Sequence, residues 1–300
     1  MQSHTVTANR LSESFKDAFA TPTSVLATTP ARRIVHRTRG QSHGPITRLM
    51  SPSDLGQRLK PFVFLDLFDS GAAPASGFGM HPHSGIATLT WIMEGSISYE
   101  DTSGASGVLP QGGVEWMQAG GGAWHSGGFA DAGRVRGFQL WVALPSALEL
   151  GPATSHYLAP EAIERDGPVR VLLGSHGTAR SRIEAPSPMN YLSVRLKAGE
   201  RWRYEPPMGH DVAWIALGEG SLLAPDRLSV GEMAVFEESQ DAIDFQAETD
   251  TEFVLGSAVK HPHDLVLGRY SVHTAADTLR HGEARIREIG MRLRSEGRLG

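Results

Sequence analysis

Apolar and polar positions along this chain alternate in short runs broken by turn residues. Ile86–Met93 is an apolar run closed by Glu94-Gly95, and Ser96–Glu100 returns from it. Asp101–Gly104 turns again, and Val108–Pro110 and Val114–Gln118 follow as short segments between glycines. Runs of this length, bounded by glycine, proline and aspartate, predict antiparallel strands joined by tight turns. Upstream, Arg33–His36, Ile46–Met50 and Pro61–Phe68 predict the first strands, with Ser51–Leu59 as a short helical link. Phe138–Leu144 predicts another strand, and Leu148 to Arg165 an irregular crossing. A second β series begins near Val169. Its Val212–Leu223 repeats the order of Ile86–Ile97, an apolar strand, a Glu-Gly turn and an apolar strand, which marks an internal duplication. Helical periodicity appears once, over Ala275 to Leu293, with Thr274 as the expected N-cap and Leu279, Ile286 and Ile289 as the buried face. The arginines of that helix, Arg280, Arg285, Arg287 and Arg292, read as a solvated face.

The strand pattern gives the histidines meaning. Residues two apart on a strand share a face, so His81 and His83, separated by Pro82, aim two imidazoles at one point. Closure of a small antiparallel barrel can return His125 beside them. Three neutral imidazoles suit Fe(II), Zn(II), Cu(II) or Ni(II). The bland reading of the same residues is the polar lining of a pocket that holds no metal. Other candidates read as structural. Asp66 and Asp69 read as solvated turn carboxylates, and Gln139 as a core or outward-facing amide unless it faces inward. His210 reads as a lone histidine. His261-Pro262-His263 repeats the tripeptide but falls in an expected connecting loop with no third ligand after it. Gly120-Gly121-Gly122 reads as a tight strand connection, because no Lys-Ser/Thr follows to make a phosphate loop.

At HPHSGIATLTWIMEGSISYEDTSGASGVLPQGGVEWMQAGGG-x-x-H the chain resembles the pirins, a family of the cupin superfamily. PFVFLDLF upstream and GFQLWVALP downstream fit as well, and the likeness runs roughly from Arg33 to Leu279. It implies an all-β protein of two tandem cupin-type antiparallel barrels, a bicupin, with a short C-terminal helix. The expected divisions are a flexible extension over 1–30, a metal-bearing barrel over 31–150, and a second barrel with the helix over 151–300. Pirins hold a metal, usually iron, through His-x-His and a later His-x-Glu. His81, His83 and His125 match the three histidines, whereas Gly127 stands at the glutamate and Ala87 at a second common glutamate. The resemblance implies Fe(II) first, with Zn(II), Ni(II) or Cu(II) as alternatives, weakly held for lack of a carboxylate unless another ligand replaces it. Activity implied by the family is a quercetin 2,3-dioxygenase-like oxidation of a small aromatic flavonol. The alternative it implies is a non-catalytic, redox-sensitive module that binds a protein partner in the manner of a transcription coregulator.

Composition narrows the field further. The 300 residues leave room for two ordinary domains, and 34 glycines with 18 prolines favour turns and strands. A net charge of −5 gives no electrostatic case for direct nucleic-acid binding. With no cysteine, disulfides and thiolate chemistry are excluded. No apolar run is long enough to span a bilayer, and no secretory apolar region follows Met1, so the expected compartment is the cytoplasm. No Ser-His-Asp or paired-carboxylate machinery is legible in the sequence.

Overall fold

The computed structural model describes residues 1–2, 32–71, 77–130 and 133–299. The expected extension over 1–30 therefore lies outside the described residues, apart from its first two. From Arg32 onward the chain forms two β units of matching plan. In the first, a seven-stranded sheet runs Thr154–Leu158, Val114–Gln118, Ile86–Glu94, Arg136–Ala143, Phe62–Asp69, Ile46–Met50 and Gln41–His43. A four-stranded sheet faces it, in the order Phe78–His83, Ala123–Phe129, Ile97–Asp101 and Ser106–Leu109. In the second unit the central strands Met233–Phe236, Val212–Glu219, Thr251–Ala258 and Met189–Leu196 take the same order, and Arg201–Tyr204, Ile243–Ala247, Ser221–Ala224 and Asp226–Ser229 make the smaller sheet. The two Glu-Gly turns correspond even in backbone, with Gly95 at φ 76° and Gly220 at φ 75°, where only glycine sits without strain.

Period-2 alternation divides the large first sheet. Leu65, Leu67, Leu89, Trp91, Phe138 and Leu140 point into the main apolar cluster, which also holds Tyr191, Trp214 and Val254 from the second unit. Phe62 meets Trp214 edge-on at 5.4 Å in that cluster. The intervening residues Phe64, Asp66, Thr90, Gln139 and Trp141 face the other way, into a cavity. Leu192, Val194, Ile215, Leu217, Phe253 and Leu255 fill the interior of the second unit instead. The duplicated folds thus differ inside, one hollow and one packed.

Strand membership does not follow chain order at the ends. Ile34–Thr38, expected to open the first series, pairs antiparallel with Met233–Phe236 of the second unit. Conversely, the hairpin of Val266–Leu267 and Val272–His273 reaches the first unit, where Ser84 bridges Ser271. Thr154–Leu158, within the expected irregular crossing, adds an edge strand to Val114–Gln118. The C-terminal helix spans Ala276–Ser295 and buries Ile286, Ile289 and Leu293, with Leu279 only partly covered. Trp124 Nε1 donates to the Ile286 carbonyl at 2.8 Å and ties this helix to the first unit. Its N-cap is Ala275 and not Thr274, because Thr274 gives its N–H and hydroxyl to Glu149 at 2.6 and 2.9 Å. The helix arginines are exposed and pair with neighbouring carboxylates, such as Arg285 with Glu288 at 2.6 Å. No helix among the described residues is long and apolar enough to cross a membrane.

Candidate metal centre

His81 and His83 lie on Phe78–His83, and His125 lies on the adjacent Ala123–Phe129, where it pairs directly with His81. Pairing across two strands therefore does what sequence alternation alone cannot, and brings the third imidazole to the first two. Ring centroids are 4.5 Å apart for His81 and His125, 5.0 Å for His81 and His83, and 5.1 Å for His83 and His125. One nitrogen from each ring falls within 4.8 Å of the others, a spacing that could hold a single metal ion.

The backs of the rings are tied down. Nδ1 of His81 lies 2.8 Å from the Gly79 carbonyl, Nδ1 of His83 lies 3.2 Å from the Tyr270 carbonyl, and Nδ1 of His125 lies 3.1 Å from Glu115 Oε1. Carbonyl and carboxylate oxygens only accept, so each Nδ1 carries a proton, and in a neutral ring Nε2 then keeps its lone pair. His83 Nε2 and His125 Nε2 are buried and have no hydrogen-bond partner. A buried acceptor without a donor costs free energy unless something meets it. Burial, reinforced by the neighbouring His125, lowers the pKa of His81 to about 4 and takes that of His83 well below its ordinary value. Both rings are neutral at pH 7, as ligation requires.

Above the histidines the cavity has a volume of about 400 Å³. Phe64 and Trp141 stack at 4.1 Å on one wall, Trp141 meets His83 edge-on at 4.8 Å, and Phe78 and Phe129 lie 6.5 Å apart on another. Gln139, read as a core or outward-facing amide, instead lines this cavity, with Oε1 2.7 Å from the Thr90 hydroxyl and Nε2 unpartnered. Asp66 is a correction as well. It is a buried strand residue paired with Arg48, whose guanidinium also covers the Phe64 ring at 3.9 Å. Burial raises the pKa of Asp66 and Arg48 opposes that rise. Asp69, farther out, pairs with Arg134 at 2.5 Å.

Two contributions escaped sequence reasoning. Glu115, 4% exposed in an otherwise apolar strand, backs His125 and accepts from Thr90 at 2.8 Å. The only sequence signal is a carboxylate inside Val114–Gln118. The second is the C-terminal hairpin, which supplies the Tyr270 carbonyl behind His83 and places Arg269 on the cavity wall. Arg269 stacks 5.1 Å over Tyr270 and makes no ion pair among the described residues. A buried network anchors this hairpin. Ser84 donates to Ser271 at 2.8 Å, His273 Nε2 lies 3.0 Å from the Ser84 hydroxyl, and His273 Nδ1 lies 3.5 Å from Glu149. Ser84, His273 and Glu149 thus form a Ser-His-Glu array that the sequence did not reveal. All three are buried and none lines the cavity, so the array fastens the C-terminal segment and offers no nucleophile to a substrate. Gly85, at φ 72°, permits the approach, since a Cβ there would strike the Val272 carbonyl.

The remaining histidines stay apart. His261 and His263 have rings 5.5 Å apart, and the Lys60 ammonium lies 2.5 Å from the His263 carbonyl, a positive charge that opposes a cation there. His210 Nδ1 lies 2.9 Å from Ser257, within a buried network that includes Tyr204 and Asn190. Where the first unit pairs His81 with His125, the second stacks Trp202 on Phe245 at 5.4 Å.

A sequence model of the Pirin family matches residues 43–142, the segment that holds all three converging histidines. A pirin-like protein of Caulobacter vibrioides is 34% identical over 242 residues, 75% of this chain and 87% of its own length. A Pseudomonas aeruginosa protein with the provisional name quercetin 2,3-dioxygenase is 30% identical over 227 residues, 70% of this chain and 79% of its own length. The crystal structure of an Acinetobacter baumannii quercetin 2,3-dioxygenase superposes with a TM-score of 0.77 at 24% identity, covering 90% of this chain and 99% of that one. The nickel(II) complex of the Escherichia coli pirin YhhW gives 0.61 at 20% identity, covering 77% and 98%. Those structures share the two-barrel cupin fold. With identity sustained over most of a pirin-like protein's length, the chain belongs to the pirin family.

Proposed function

We propose that this pirin is a metal-dependent dioxygenase acting on a flavonol such as quercetin. The observation that carries the reading is the convergence of three imidazoles, tied at Nδ1 and free at Nε2, on an aromatic-lined cavity. His81, His83 and His125 would hold the ion. Fe(II) is the first assignment, and Ni(II), Zn(II) or Cu(II) are alternatives that the same donors accept. Bound there, the ion would supply Lewis-acid and one-electron chemistry that no side chain here provides. The protein's own part is to bind and orient. Phe64 and Trp141 present a stacked apolar wall to a flat ring system, and the Gln139 amide, with one end against the Thr90 hydroxyl, offers its other end as a polar group to the substrate. In this reading the 31–150 segment carries the site, and 151–300 supports it through the hairpin and helix.

Oxygen consumption by iron-loaded protein with quercetin tests the proposal. Uptake in the native protein and loss of it in His81→Ala are expected. Equal uptake by both, or none by either, would favour the alternative, a protein-binding module whose metal is a redox-sensitive structural element. The expected cytoplasmic location is part of the same proposal.

A further inference from the structure

A divalent ion held by three neutral imidazoles keeps its full charge, and neither Gly127 nor Ala87 offers a carboxylate to offset it. Meanwhile Glu115 is 4% exposed and has no lysine or arginine partner among the described residues. Its oxygens meet only His125 Nδ1 at 3.1 Å and the Thr90 hydroxyl at 2.8 Å. A buried carboxylate without a cation is costly. The site thus places a buried carboxylate on one side of His125 and an unpartnered Nε2 on the other. We propose that Glu115 is the charge-balancing positioning residue of this metal centre, acting on the ion through the His125 imidazole. The proposal rests on the metal-binding reading above and deepens it.

Strand register sets the arrangement, because Thr90 pairs with Glu115 across adjacent strands and both side chains face the barrel interior. A carboxylate accepting Nδ1–H fixes the ring and makes Nε2 a stronger donor. Since Glu115 works from behind the ring, it occupies no ligand position. The space beside Gly127 stays free for the two oxygens of a chelating substrate.

Glu115→Gln keeps the shape and removes the charge. Ni(II) affinity, measured by competition with a chelator, should fall by roughly 10–100-fold, and the visible spectrum of the Co(II)-loaded protein should shift. Gly127→Glu in the same background should recover most of the affinity. A Cβ at 127 meets nothing closer than Ser98 O at 3.8 Å and Phe78 at 4.0 Å, so the substitution fits. Thr90→Val, which frees Glu115 from its second partner, should weaken Ni(II) binding to a smaller degree and serves if Glu115→Gln does not fold. Native Ni(II) affinity in Glu115→Gln, or in Thr90→Val should that variant stand in, overturns the assignment. So does failure of the Gly127→Glu double variant to recover. His125→Ala separates the two levels. Full Ni(II) binding in that variant removes the metal-binding reading itself, whereas its loss alongside native affinity in Glu115→Gln removes only the role of Glu115.

Discussion

Acid should destabilise the metal-free protein through the same histidines that are proposed to hold the metal. The perturbation is His81→Gln, read at two pH values. In the folded chain the His81 pKa is lowered to about 4, by burial first and by His125 second, whereas an unfolded histidine titrates near 6.5. Between those values the unfolded state binds the proton and the folded state does not, so stability rises with pH across that window and is lost as pH falls through it. For a single group so shifted, the loss between pH 7.5 and pH 4.5 is about 2.5 kcal/mol. His83 is lowered too and adds to the effect. Urea unfolding with metal chelated, extrapolated to zero denaturant at both pH values, gives the comparison. The native protein should lose about 2.5 kcal/mol more than His81→Gln on acidification. Equal losses would mean that His81 is not held neutral by its surroundings, and the account of a dry, ligation-ready cluster would fail.

Three further outcomes follow from the contacts around the site. Arg48→Ala leaves Asp66 without its partner, and should cost about 1–3 kcal/mol in thermal or urea unfolding, with Arg48→Met/Asp66→Leu recovering most of it. Glu149→Leu strips the acceptor from the Thr274 N–H and hydroxyl, so hydrogen exchange over 266–274 should accelerate while the strands of the second unit stay protected. If flavonol oxidation is observed, Arg269→Ala should raise KM several-fold, on the order of a lost charge-assisted hydrogen bond, with little change in kcat, because this guanidinium lies on the cavity wall without an ion-pair partner among the described residues and contacts none of the three histidines in a hydrogen bond.

The convergence of the three histidines was legible because it depends on local rules. Two histidines on one strand face share a direction, and the glycine-bounded hairpins that return His125 are written as turn residues. Glu115 was not, because Val114, Glu115, Trp116 and Met117 are all buried, so the polar-out alternation that exposes a functional residue is absent. Asp66 was misread for a similar reason, since its place in a buried strand depends on Arg48, eighteen residues away in the chain. The second unit's borrowing of Ile34–Thr38 and the first unit's borrowing of the 266–273 hairpin are contacts between segments far apart in the chain. Neither leaves a periodic signal. Thr274 has the residue type of an N-cap, but Glu149 competes for its hydroxyl across 125 residues and wins.

Metal content tests the central claim most directly. The chain is purified without an affinity tag, supplied with Fe(II) anaerobically, freed of loose ion by gel filtration, and analysed for bound metal beside His83→Ala. His83 is the most buried of the three histidines, so its removal should be the hardest to compensate. The account predicts about one ion per native chain and almost none in the variant. Full retention by His83→Ala would contradict it and place any metal elsewhere, with His261 and His263 the first residues to examine.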